Sequence, residues 1–231
     1  MQNPIIAGNI YHILNRGVDK RKIFIDEEDY FRFVHDLFEF NDVKPINNAT
    51  FSFRNNFKTK NIASPYIDER EFLVEILAFC MMPNHYHIML RPKYDDGITR
   101  FIKRLNIGYA KYFNEKYKRS GALFEGRFKR ILIDNDAHFI YLPYYIHLNP
   151  LDLIMPEWRD GKISDCKKAM NFLENYHWSS FPDYIGKKNF PSVTQRKFLM
   201  DCFGSAQKQK DGMFAWLKEM DLSDINNISL E

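Results

Sequence analysis

Cysteine is scarce and poorly placed for cross-linking. Cys80, Cys166 and Cys202 are odd in number, far apart and without a Cys-x-x-Cys pair, which argues against a disulfide framework or zinc knuckle and for a reducing compartment. Long apolar runs are missing too. Nothing approaches the 18 residues of a membrane span, and no early segment joins a basic start to an apolar run of signal-peptide length. The expectation is a cytoplasmic protein with no membrane partner. Acidic residues are sparse in one place: residues 100–133 hold ten Lys or Arg against Glu115 and Glu125, a local charge of +8 in a chain whose formal total is +3. The remainder is therefore acidic.

What is present is aromatic and globular. Of 231 residues, 45% are apolar and 16% aromatic, with 21 Phe and 13 Tyr, enough for a sizeable core in one domain, with or without an appendage. Within the basic segment, Phe101, Tyr109, Tyr112, Phe113, Tyr117, Phe124 and Phe128 are interleaved with the cations. The rings alone read as core packing. Ten positive charges with two negatives do not read as an ordinary solvated face, and point to a phosphate backbone.

Periodicity gives an alternating α+β order. Asn9 to Arg16 reads as a strand ending in an Arg16-Gly17 turn, and Asp26 caps a helix to about Asn41. Residues 44–70 form a long loop or irregular hairpin insertion. Phe72 to Met81 is apolar enough for a central strand, and Pro83-Asn84 turns into a second strand expected to pair with it antiparallel. Thr99 starts a long helix toward Lys118, ended by Ser120-Gly121; Arg127 to Ile133 reads as a further strand; Asp134 or Asn135 caps a helix ending at Asn149-Pro150.

Chemistry concentrates in two of these elements. His85 and His87 are i and i+2 on a strand, so both imidazoles lie on one sheet face, where they can share a divalent ion. In an isolated His-x-His the ordinary reading is two polar side chains at a strand end. Tyr145 and Asn149 are i and i+4 on the last helix and share a face with Tyr141, whereas Tyr144 is rotated by roughly 100 degrees and packs elsewhere. Pro143 either kinks that helix or marks a late start. His12, His35 and His177 read as structural or surface residues.

Five blocks occur in order: Tyr11-His-Ile-Leu-Asn-Arg-Gly17, Met82-Pro-Asn-His-Tyr-His-Ile-Met-Leu90, Tyr109-Ala-Lys-Tyr-Phe-Asn114, Gly121-Ala-Leu-Phe-Glu-Gly-Arg-Phe-Lys129 and Tyr144-Tyr-Ile-His-Leu-Asn-Pro150. Together they resemble the REP-associated tyrosine transposases, relatives of the single-tyrosine HUH transposases of small insertion sequences. The resemblance extends over about residues 9–185, through Tyr176-His-Trp-Ser-Ser-Phe181. It implies a transposase domain over 1–185 and leaves 186–231 as a C-terminal extension that matches nothing in the family.

The resemblance also implies a small antiparallel sheet flanked by helices, the ferredoxin-like HUH endonuclease fold. Tyr145 matches the nucleophile, His85 and His87 the metal-binding pair, and Asn149 the polar residue that completes the shell. The implied activity is strand transfer on single-stranded DNA next to a hairpin or palindromic repeat, through a 5′-phosphotyrosine and a free 3′-OH. Two imidazoles and an amide oxygen leave an oxygen-rich remainder suited to Mg²⁺ or Mn²⁺. Arg16, Arg104, Lys111, Arg119, Arg127, Lys129 and Arg130 are the candidate DNA contacts. Three questions stay open: a site shared across a homodimer, a non-cutting DNA-binding regulator on the same fold, and a phosphodiesterase using His138 or His147 as base.

Overall fold

A computed structural model describes residues 4–44 and 70–219. The 44–70 insertion and the acidic end with Asp221, Asp224 and Glu231 lie outside the described residues, apart from the edges of the insertion at 44 and 70.

Four strands form one antiparallel sheet: β1 (Ile10–Arg16), β2 (Val74–Met82), β3 (His85–Pro92) and β4 (Lys129–Ile133). Their order is β2-β3-β1-β4. With α1 (Glu27–Glu39) between β1 and β2, and α2 (Gly97–Lys116) between β3 and β4, this is the βαββαβ arrangement of ferredoxin-like folds. The expected α+β sheet is therefore present, and the β2–β3 hairpin pairs antiparallel as read from the sequence.

Alternation divides the sheet into two faces. Tyr11, Ile13, Tyr86, Ile88 and Leu90 pack with α1 and α2 in one core. Tyr86 also donates from its hydroxyl to Asn106 of α2 at 2.7 Å. Ala78, Cys80, Met82 and Met89 face the other way, into a second core with α3 (Asp136–Leu148) and the elements that follow. Each face supplies an apolar layer about one helix deep, which is why the sheet needs helices on both sides.

Helix α1 starts at a capping box: Asp26 accepts from the Asp29 amide, and Asp29 returns the bond to the Asp26 amide. Asp29 is fully buried and also receives Lys116 and the Tyr112 and Tyr117 hydroxyls, tying the start of α1 to the end of α2. Helix α3 is capped by Asn135, whose side chain accepts from the His138 amide at 2.8 Å, and it runs through Pro143 without a late start. Two 3-10 turns, Asn149–Leu153 and Pro156–Asp160, precede α4 (Cys166–Asn175), the short α5 (Phe181–Tyr184), α6 (Lys197–Phe203) and α7 (Ala206–Glu219).

The last helix returns to α3. Trp216 stacks on Tyr144 with ring centroids 5.0 Å apart and tilts against Tyr141 at 5.5 Å, and a Cβ at Gly212 would meet the Tyr144 hydroxyl. Tyr144 thus packs away from Tyr145, as its 100-degree rotation requires. Among the described residues no helix is long and apolar enough to cross a membrane.

Candidate nucleophile and imidazole cluster

The antiparallel register assembles the site. His87 of β3 lies between Cys80 of β2 and Leu14 of β1, and His85 lies between Met82 and Arg16. Both imidazoles are on the α3 face, their rings crossing edge to face with centroids 4.9 Å apart. From α3, the Tyr145 ring meets His87 edge-on at 5.7 Å. Tyr145 and His87 are both nearly solvent-free, at 4% and 0% exposure. Tyr141, one turn earlier, tilts against Tyr145 at 5.5 Å.

A third imidazole belongs to this group. His12 of β1 is paired with Met89, on the same face, and its Nε2 is 2.9 Å from Nδ1 of His87. The two rings stack at 5.1 Å, and the His12 ring also meets Tyr145 edge-on at 6.1 Å. The sequence reading assigned His12 a structural or surface role; burial excludes the surface alternative, and the reading did not foresee its contact with His87. A hint was available, because His12 sits within the first ordered block and the alternation of β1 turns it with Leu14, opposite to Tyr11 and Ile13. Nothing local, however, specifies which residue of β3 it meets.

Asn149 is fully buried at the C-cap of α3. Its Nδ2 donates to the Tyr145 carbonyl at 2.8 Å, and its Oδ1 accepts from Nη2 of Arg159 at 3.0 Å. Arg159 also approaches the Tyr145 hydroxyl, with Nη1 at 3.5 Å. Among the described residues no cluster of three or more His, Cys, Asp or Glu has metal-holding geometry. His85 and His87 are adjacent imidazoles on one strand, of the type divalent ions take as ligands, while the Asn149 amide oxygen expected to join them accepts from Arg159.

The basic candidates separate. Arg16 and Lys129 are on the same sheet face as the imidazoles: Arg16 pairs with His85 in register, and Lys129 lies across from Leu14, the neighbour of His87. Arg16 is held by Glu125 at 2.8 Å, while Lys129 and Arg127 are exposed. Arg130 points the other way, over the Tyr11 ring. Arg104 and Lys111 are on α2, behind the sheet. Arg104 donates to the Asp42 carbonyl, and Lys111 is exposed. Arg119 closes the turn after α2 by bonding the Asn114 side chain at 2.7 Å and the Ala122 carbonyl at 3.2 Å.

Lys116, another of the ten cations, is surrounded by Asp26, Glu28 and Asp29, whose hydrogen bonds raise its pKa far above the ordinary range against the opposing effect of burial. Part of the +8 therefore closes the fold. Of the interleaved rings, Phe101, Tyr109 and Phe113 are buried in the α1–α2 core, as the packing reading expects.

His147 is corrected as a candidate base. It is buried between Phe181 and Tyr184, its Nε2 is 2.8 Å from Ser180 Oγ, and burial pulls its pKa down to about 3. Burial also lowers the pKa of His138, near the start of α3, against the opposing charge of Asp134.

Residues 48–149 match the family model described as "Transposase IS200 like". That span contains His85, His87, Tyr145 and Asn149, so the likeness to this transposase family suggested by the ordered blocks is also found by comparison with the family itself. No curated protein matches the chain. A solved structure described as a REP-associated tyrosine transposase bound to a REP hairpin aligns over 84% of this chain and 88% of that chain, at 16% identity and a TM-score of 0.49.

Proposed function

From the match of residues 48–149 to the IS200-like transposases, we propose that this protein cuts and rejoins single-stranded DNA through Tyr145. The observation that carries the reading is the contact of the Tyr145 ring with His87, inside the segment that matches the family. The phenol oxygen attacks phosphorus, forming an O–P bond to the 5′ side, and the P–O3′ bond breaks to release a 3′-OH. Attack by another 3′-OH on the phosphotyrosine restores a phosphodiester and frees the phenol. The bond energy is conserved, as transfer requires and hydrolysis does not.

His85 and His87 would hold Mg²⁺ or Mn²⁺, with the Asn149 amide oxygen joining them through the lone pair that Arg159 does not occupy. When bound, such an ion polarises the scissile phosphate and offsets its developing charge. The remaining tasks belong to the chain. Helix α3 holds the phenol against the imidazoles, Tyr141 and Trp158 pack its flanks, and Arg16 and Lys129 lie on the same face to receive the backbone of a hairpin or palindromic repeat. This location suits a partner that arrives from the α3 side of the sheet near β4.

The test is incubation with labelled single-stranded hairpin DNA from a pool of repeat sequences, with and without Mn²⁺, followed by denaturing electrophoresis. The expected result is a metal-dependent adduct that survives denaturation and is lost in Tyr145→Phe. Cleavage retained in Tyr145→Phe would refute the assignment of the nucleophile. Binding without adduct would identify a non-cutting regulator on this fold.

A further inference from the structure

Downstream of α3, a polar network reaches back to the phenol. Asp152 ends up three residues beyond Asn149 in the first 3-10 turn, and Trp158 and Arg159 are in the second. Trp158 is buried, and its indole N–H donates to Asp152 Oδ1 at 2.5 Å. Arg159 meets both oxygens of the same carboxylate, Nε to Oδ1 at 2.9 Å and Nη2 to Oδ2 at 2.7 Å. This is a fork on a carboxylate, the geometry in which a guanidinium is most firmly oriented.

Held in this way, the guanidinium spans two groups of the site. Nη2 bonds the Asn149 amide oxygen at 3.0 Å, and Nη1 is 3.5 Å from the Tyr145 hydroxyl. Its plane lies over Trp158, with the carbon 4.8 Å from the ring centroid, and 5.8 Å from that of Tyr145. The side chain keeps 30% exposure, so the charge borders solvent while its stem is packed. A structural ion pair needs only Asp152. The further reach to the hydroxyl oxygen and the neighbouring amide is what a purely structural role does not require.

We propose that Arg159 is a positioning residue of the cleavage site, oriented by Asp152, that fixes the Tyr145 hydroxyl relative to the Asn149 amide and presents its Nη1 edge to the scissile phosphate. The inference rests on the strand-transfer reading above. As the O–P bond forms at the phenol oxygen, the non-bridging phosphate oxygens come within reach of Nη1, where a guanidinium offers directed donors to the charge. At 3.5 Å the Nη1 contact to the hydroxyl is long for a hydrogen bond, whereas the bond to the Asn149 oxygen is of ordinary length. No proton is assigned to Arg159 and no bond to it changes.

The experiment measures single-turnover adduct formation against hairpin DNA concentration for wild type, Arg159→Gln, Arg159→Lys and Asp152→Asn, with melting temperatures in parallel. Arg159→Gln is expected to lower the saturating rate about 100-fold, the scale of removing a directed donor from developing charge, with half-saturation within about 3-fold. Arg159→Lys keeps the charge without the fork and should recover part of the rate. Asp152→Asn should lose about 10-fold, because the fork is no longer held on a full carboxylate. If Arg159→Gln melts early, Arg159→Lys and Asp152→Asn carry the same test. A saturating rate within about 3-fold of wild type for Arg159→Gln overturns the proposal, as does a loss confined to half-saturation. Absence of adduct in the wild type overturns the underlying reading and this inference with it, and is distinguished by that control.

Discussion

Acidification tests the burial of His147 directly. Its ring is 5% exposed, packed on Phe181 and Tyr184 and bonded to Ser180 Oγ, and its folded pKa is pulled by burial from 6.5 to about 3. In the unfolded chain the imidazole takes up a proton as pH falls through 6.5. In the folded chain it stays neutral until about 3. The contribution is therefore fully present above the unfolded value and is lost as pH falls, at about 1.4 kcal/mol per unit from this one residue. At pH 4 the loss is roughly 3 kcal/mol, a large fraction of the 5–15 kcal/mol typical of a folded domain.

His138 and His177, also lowered by burial, act in the same direction. The Asp183 carboxyl, raised by burial against its hydrogen bonds and Arg196, acts in the opposite one. The assay must therefore isolate His147. Urea unfolding between pH 7.5 and 4 is compared for wild type and His147→Gln, which can still bond Ser180 but does not titrate. The two curves should converge as pH falls, with a slope difference approaching one proton below about pH 6. Parallel curves over that range would refute the burial argument.

Three further outcomes follow from named contacts. His12→Ala removes the partner at His87 Nδ1 and should weaken Mn²⁺ binding by isothermal titration calorimetry about 10-fold, the usual scale for an outer partner of a ligating imidazole; unchanged affinity would remove His12 from the site. Lys129→Ala should reduce the salt slope of hairpin binding by about one unit, whereas Lys116→Ala, already surrounded by Asp26, Glu28 and Asp29, should leave it unchanged. Equal slopes for both would show that position on the α3 face does not select the DNA contacts. Trp216→Ala removes the stack on Tyr144 and should cost about 2–4 kcal/mol in urea unfolding; a loss under about 0.5 kcal/mol would mean that α7 is not held on α3 by this contact.

Local periodicity determined much of this protein. Alternation along β3 alone turns His85 and His87 to one face and Tyr86 and Ile88 to the other, and the 3.6-residue repeat alone puts Tyr145 above Asn149 and sends Tyr144 toward another partner. The strand and helix order follows from the same signals, because each depends on residues close in sequence. Tertiary structure decided which distant groups meet. His12 reaches His87 only through the register of β1 on β3, and a one-residue slip would turn it to the other core. Arg159 reaches Tyr145 and Asn149 only because two short turns fold Asp152 beneath it. The basic segment is the clearest case: its ten charges are visible in the sequence, but Lys116 is claimed by three carboxylates and Arg119 by a turn, while Lys129 falls on the imidazole face of the sheet, across Leu14 from His87. A charge acts on whatever lies within a few ångströms of it, and in a folded chain that neighbour is set by topology rather than by position along the sequence.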